Sequence, residues 1–258
     1  MSLVMDKYDA LEEEQNLRYF SFTFGLSQFV GALAVILIAV WMGTYDQGGG
    51  FGWNAVDGST SDQQFHYHPL FMVIGMVFLY GEAILVYRVF RHEKKRFTKL
   101  LHTALHGLVF VFLVTALEAV FSAHAATNSA NMYSLHSWIG LGTVLLFTFQ
   151  LVAGFVSYLF PGLSMPVRQW YMPIHRFFGM LIFCIASATA LMGITERAAF
   201  HNKDNGWVHK SSEGMVINFT GLCILVYCLL VIYLVANPRF QRKALPEEEA
   251  LQQLTTAD

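Results

Sequence analysis

The sequence predicts an all-α membrane protein with six transmembrane helices. Three observations predict it. Of 258 residues, 55% are hydrophobic and only 13% charged, about half the charged share of a soluble domain. Six stretches approach or exceed the ~20 predominantly apolar residues needed to cross a bilayer, joined by short polar loops. Four consecutive stretches carry a histidine in their first turns, where an ionisable side chain is costly unless it serves function.

Residues 1–18 form a polar, acidic tail with no apolar segment or cleavage site, so the first span acts as its own insertion signal. Span one, residues 20–42, has no charge, and Gly25, Gly31 and Ala34 allow a neighbouring helix to approach closely. The loop 43–64 carries three consecutive glycines with Asp46, Asp57 and Asp62, but no Lys or Arg. Span two, 68–87, opens with Pro69 at a favourable first-turn position. The cluster 88–99 is the most basic in the chain, and span three follows at 100–121. Span four, 135–160, gives way to Pro161-Gly162 and a short loop with Arg168. Span five is 173–195, a polar loop holds Arg197, Lys203 and Lys210, and span six is 215–236. The predicted organisation is therefore a tail 1–18, one membrane domain 19–236 and a tail 237–258. Cys184, Cys223 and Cys228 lie inside apolar runs and read as small core residues.

Positive charge in short loops marks the cytoplasmic side. With the N-terminus inside, the inner segments hold the 88–99 cluster, Arg168, Arg239, Arg242 and Lys243, whereas the outer loops hold only Arg197, Lys203 and Lys210. Both termini are therefore expected in the cytosol. His68 and His136 then open spans that begin outside, and His106 and His175 open spans that begin inside. A helix rises 1.5 Å per residue, so the two sets lie near opposite faces of a ~30 Å core. One buried metal centre per leaflet is the geometry of an electron path across the membrane.

The chemistry of the sites narrows the metal. No thiolates or carboxylates of the kind that build structural zinc sites surround these histidines. Imidazoles from two helices, among aromatic and small residues, suit haem iron, a large apolar plate that a helical bundle clamps. Gly140, Gly142, Gly154 and Gly179 make room for such a plate, or are ordinary helix packing. His102 and His106 are four apart and share a helix face, so spacing does not choose between them. His102 is expected at the cytosolic edge beside Lys99, where a solvated histidine is ordinary, which favours His106. His92, His201 and His209 read as surface residues, and His124 as either solvated or facing an acceptor. Glu82 reads as a partner of Arg88, and Glu118 has no assigned role.

The runs Phe65-His66-Tyr67-His68-Pro69, Val86-Tyr87-Arg88, Leu105-His106-Gly107, Asn131 through Trp138 and Met172-Pro173-Ile174-His175 resemble the cytochrome b561 family. The resemblance spans residues 20–239, and Tyr133-Ser134-Leu135-His136-Ser137-Trp138 is its most specific part. It implies two b-type haems held by the inner four helices, with ligand pairs His68/His136 and His106/His175. It implies electron transfer from cytosolic ascorbate to monodehydroascorbate or a ferric chelate on the far side, and hence a transmembrane oxidoreductase. The family's cytosolic ascorbate site falls on Lys99 and Arg168, with Arg88 near the inner haem and Thr103 where relatives carry a further basic residue. The acceptor side falls on His124 and Tyr133. Membrane lipid is the remaining partner and nucleic acid is none; the family admits a homodimer, for which no stretch of this sequence argues. Tyr8-Asp9-Ala10-Leu11 resembles a tyrosine-type sorting signal, which leans the expected location towards secretory granules, endosomes or lysosomes, with the plasma membrane as the further expectation. The competing reading is a zinc or proton transporter built on the histidines with Glu82 or Glu118.

Overall fold

The computed structural model describes residues 2–54, 59–205 and 211–242. Asp57, His209, Lys210, Lys243 and the rest of the tail 243–258 lie outside the described residues, as do the side chains of Lys7, Tyr8–Leu11, His201 and Lys203. Six helical segments are long and apolar enough to cross a membrane. Among the described residues there is no strand, only a single bridge between Asn54 and Thr60.

Helix α1 (Ser2–Val40) begins well before the expected first span. The polar tail continues the helix because Leu, Glu, Gln and Arg are good helix formers and no Pro or Gly interrupts them. Its far end runs into a π-helical turn, Trp41–Tyr45, and Gly48, Gly49 and Gly50 then reverse the chain at positive φ. At Gly49 a Cβ would meet the Gly43 carbonyl at 2.6 Å, so the turn admits only glycine.

The second span is built of α2 (Tyr67–Met72), a π-helical segment (Val73–Leu79) and α3 (Tyr80–Val89). Pro69 sits in the opening turn, where a missing N–H costs nothing. Helix α4 (Lys95–Thr127) ends on Asn128 in the left-handed conformation. Helix α5 (Leu135–Tyr158) starts with a reciprocal capping box between Ser134 and Ser137. Helix α6 (Met165–Asn205) contains Pro173, and α7 (Ser212–Ala236) is capped by Ser211.

Helix α1 packs chiefly on α7, α5 on α6, and the second span on α4. At the α1–α7 crossing a Cβ on Gly31 would lie 2.7 Å from the Tyr227 ring, so the glycine sets the approach. The largest fully buried side chains include Trp41, Tyr80, Tyr227, Phe147 and Phe183. Phe22, Phe29, Leu145, Phe149 and Phe177 point outward, as lipid-facing positions do. The end of the bundle bearing the 43–66 loop is called the loop face below, and the opposite end, with Arg88 and Phe240, the tail face.

Candidate haem sites at the two ends of the bundle

At the loop face, the rings of His68 on α2 and His136 on α5 stand 6.2 Å apart, centroid to centroid, at 87°. His136 lies one residue past the Leu135 start of α5, so the serine box that begins the helix also aims its ligand-type side chain. His68 Nδ1 donates to the Ala116 carbonyl (3.1 Å) and His136 Nδ1 to the Thr189 carbonyl (2.9 Å). A carbonyl only accepts, so each proton sits on Nδ1 and leaves Nε2 with a free lone pair. That arrangement orients an imidazole for a metal. The centroid separation is close to two metal–nitrogen bonds of about 2 Å each plus two ring radii.

Both histidines line a cavity of about 1180 Å³ walled by residues such as Met72, Met76, Val144, Ala186 and Ala190. Such a volume, larger than an ordinary ligand pocket, fits an apolar plate of porphyrin size. Close approach is built in as well. A Cβ on Gly193 of α6 would sit 2.6 Å from His136 Cε1, so only glycine leaves space for the ring.

At the tail face, His102 on α4 and His175 on α6 form the matching arrangement, 6.3 Å apart at 69°. His102 Nδ1 donates to the Ala83 carbonyl at 2.7 Å. A Cβ on Gly154 of α5 would lie 3.0 Å from His175 Cε1, and Tyr158 and Tyr171 flank that ring at 5.4 and 5.8 Å. His106 does not take the place expected for it. It is 8% exposed and packs edge-on against Tyr80 (4.8 Å), Phe147 (5.7 Å) and His102 itself (4.5 Å). Helix α4 starts at Lys95, so His102 is seven residues, about 10 Å, inside the helix, where the sequence suggested a solvated edge. His106 and His175 each leave a buried Nδ1 without a hydrogen-bond partner among the described residues, which costs about 1–3 kcal/mol unless another group is present.

The other expected residues distribute as follows. Lys99 Nζ donates to the Tyr158 carbonyl (2.9 Å), and the Tyr158 hydroxyl to the Arg168 carbonyl (3.3 Å). Lys99 and Arg168 are thus drawn to one spot at the α5 C-terminus, where positive charge is favoured. Lys99 also lines a shallow recess with Lys95 and Arg96. Thr103 turns its hydroxyl back to the Lys99 carbonyl. Arg88, 6% exposed, donates to the Val235 carbonyl at the end of α7, and among the described residues its hydrogen bond is to the helix end.

His124 and Tyr133 both line the large cavity. His124 belongs to the end of α4 and not to a loop, with Nδ1 2.8 Å from Asn131 Oδ1. Glu196, which sequence reasoning passed over, accepts from the Ser134 hydroxyl at 3.0 Å. Burial, and then the Glu196 carboxylate, push the Tyr133 hydroxyl above its ordinary range. Glu82 bonds Gln28 (2.8 Å) and Tyr227 (2.9 Å) instead of Arg88, and exposed Glu118 accepts from Ser122.

These sites stand on a chain whose likeness to known proteins is extensive. The pattern of eukaryotic cytochrome b561 matches residues 67–201. A Caenorhabditis elegans protein named "Putative transmembrane ascorbate-dependent reductase CYB561 homolog" is 45% identical, over all of this chain and 98% of its own length. Transmembrane ascorbate-dependent reductase CYB561 of Mus musculus is 41% identical over 87% of this chain and 86% of its own. Plasma membrane ascorbate-dependent reductase CYBRD1 of Xenopus tropicalis is 41% identical over 87% of this chain and 78% of its own. With relatives this similar over most of its length, and with paired imidazoles suited to b-type haem, the chain belongs to the eukaryotic cytochrome b561 family.

Proposed function

We propose that this protein carries electrons from cytosolic ascorbate, through two b-type haems, to monodehydroascorbate or ferric iron on the non-cytoplasmic side. The observation that supports it is the repeated histidine geometry: two facing pairs, 6.2 and 6.3 Å apart, in one bundle. His68 and His136 would hold one haem, and His102 and His175 the other, with His102 taking the role first given to His106. An iron held between two imidazoles exchanges one electron without a change of ligands.

The chain's own residues do the rest. The Ala116, Thr189 and Ala83 carbonyls fix three of the four ring tautomers and orientations. Tyr80, Phe147 and Phe183 form a buried aromatic cluster beside His106, which keeps water out of the bundle's middle. The tail face is the cytosolic one in this reading, because the 88–99 cluster, Arg168 and Arg239 all lie there. Lys99 and Arg168 would attract the ascorbate anion to that face. His124 and Tyr133, on the wall of the loop-face cavity, would meet the acceptor.

A zinc transporter is disfavoured: among the described residues no three His, Cys, Asp or Glu side chains converge on one point. The test is haem stoichiometry by pyridine haemochrome on purified single variants, with visible spectra before and after ascorbate. Two haems per wild-type chain are expected, about one in His68→Ala, His136→Ala, His102→Ala and His175→Ala, and two in His106→Ala. A wild-type chain without haem sinks the electron-transfer reading; loss of one haem in His106→Ala with retention in His102→Ala restores the original pair.

A further inference from the structure

The loop-face cavity has one Lys or Arg among its described lining residues, Arg197, and that guanidinium is fixed unusually well. Arg197 Nε lies 3.1 Å from both Asp46 oxygens, and Nη2 donates to Asp46 Oδ2 at 2.7 Å. Its opposite face rests over the Phe65 ring, 4.7 Å from the centroid. Asp46 is itself 0% exposed, and its Oδ2 also stands 3.2 Å from His66 Nε2, while His66 Nδ1 donates to the Gly50 carbonyl at 2.6 Å. The glycine turn, His66, Asp46 and α6 are therefore tied together around one cation.

That attachment uses two of the five N–H donors of a guanidinium. The other three meet no acceptor among the described residues, and the side chain keeps 21% of its surface exposed, on the wall of the cavity shared with His68 and His136. Glu196, the neighbouring acid on that wall, is engaged by Ser134 and Tyr133. A loop tied down only for stability has no need of a cation turned towards a cavity. A planar fork held on one edge is, by contrast, pre-organised for a carboxylate or similar oxyanion on the other, because little freedom is left to lose on binding.

We propose that Arg197 is the oxyanion-binding residue of the loop-face cavity, held in position by Asp46. The oxyanion is either a porphyrin propionate or an anionic electron acceptor. The proposal rests on the electron-transfer reading above and adds to it a residue that the family resemblance did not supply.

Arg197→Gln alone would remove the guanidinium from the buried Asp46 carboxylate and disturb the fold as well as the site, so the test compares Asp46→Asn with Asp46→Asn/Arg197→Gln, full-length and haem-loaded. Equal thermal midpoints in the two establish that the fold is unchanged; if the double variant melts lower, Asp46→Asn/Arg197→Lys, which restores the charge, separates charge from packing. Two arms distinguish the sources. For a propionate, the double variant loses haem from the His68/His136 site about tenfold faster, the size expected for one charge-assisted hydrogen bond, and that haem becomes harder to reduce. For an acceptor, haem retention and potential are unchanged. In sealed vesicles, with ascorbate inside and the loop face outward, the KM for monodehydroascorbate instead rises about tenfold. If neither arm moves relative to Asp46→Asn, the proposal is wrong although the electron-transfer reading stands. A wild-type chain without haem overturns both.

Discussion

Replacing Gly193 with alanine adds one methyl group and tests whether the loop-face histidines are built to hold a prosthetic group. The new Cβ would lie 2.6 Å from His136 Cε1, 3.0 Å from Nδ1 and 3.2 Å from Nε2. Carbon atoms pack comfortably at about 3.5–4.0 Å, so the ring must move by close to 1 Å. It has no free direction. Its Nδ1 is held by the Thr189 carbonyl one turn away on the same helix as Gly193, and its other side faces His68. Overpacking of this kind costs about 1–3 kcal/mol, which is roughly 5–150-fold in the affinity of whatever the two imidazoles clasp. The helix itself gains about 0.5–1 kcal/mol from Gly→Ala, too little to compensate. Gly142 supplies the control, since a Cβ there meets nothing within 4 Å and should be neutral or mildly stabilising. Gly154→Ala, with its 3.0 Å approach to His175, should weaken the tail-face site by less. Haem content and resolved reduction midpoints of the purified variants measure all three. Gly193→Ala with two haems at wild-type potentials, indistinguishable from Gly142→Ala, would refute the reasoning.

Two further outcomes follow from the same contacts. Lys99→Ala with Arg168→Ala should slow reduction by ascorbate about tenfold or more, one lost charged hydrogen bond being worth about 1.5–3 kcal/mol, with haem content unchanged; equal stopped-flow rates would leave these residues an orienting role only. Tyr227→Phe removes the hydroxyl that lies 2.9 Å from both Glu82 Oε1 and the Phe78 carbonyl and should lower the thermal midpoint through a cost of about 1–3 kcal/mol, whereas an unchanged midpoint would show that water replaces it.

The helices were legible because apolar length and loop charge are properties of contiguous sequence. The span count and the four histidine-bearing stretches both came from that level. What was not legible depended on where a helix begins. Span three was expected from residue 100, but α4 begins at Lys95, and those five residues moved His102 from an edge to the interior. Spacing alone, with His102 and His106 on one face, carried no signal to decide between them. Glu82 was misread for a related reason: its partners, Gln28 and Tyr227, are 54 and 145 residues away. Arg88, six positions on, was the only partner a linear reading offered. The roles of His66 and Glu196 gave no sequence signal, although His66 stood in a run that carries the family resemblance, since each acts through a loop or helix end that only the folded chain brings near.

The histidine positions share a hidden register, and it supplies the sharpest test of the two-site architecture. On α6, Thr189, whose carbonyl holds His136, follows His175 by fourteen residues; on α4, Ala116, whose carbonyl holds His68, follows His102 by fourteen. On the second span, Ala83, whose carbonyl holds His102, follows His68 by fifteen. Each of these spans thus carries a histidine for one face and a carbonyl that steadies a histidine at the other. The odd number falls on the span that contains the π-helical segment Val73–Leu79, where wider turns accommodate an extra residue. Deleting one residue there, such as Ile74, should let the segment revert to α-helix with fourteen residues between His68 and Ala83, as on the other two spans, so the two ends keep their relative orientation and the variant should still hold two haems. Inserting one alanine after Ile74 instead adds a residue that the existing wide turns do not absorb, and everything beyond it turns by about 100° relative to His68. If the His68 end keeps its place, Ala83 no longer presents its carbonyl to His102; if the α3 end does, His68 leaves His136. Either way one histidine set loses its register, and the insertion variant should hold no more than one haem per chain, by pyridine haemochrome, at near-normal helical content. Two haems with both wild-type midpoints in the insertion variant, or a haem lost from the Ile74 deletion, would mean that the π-helical segment does not set the register of the two sites.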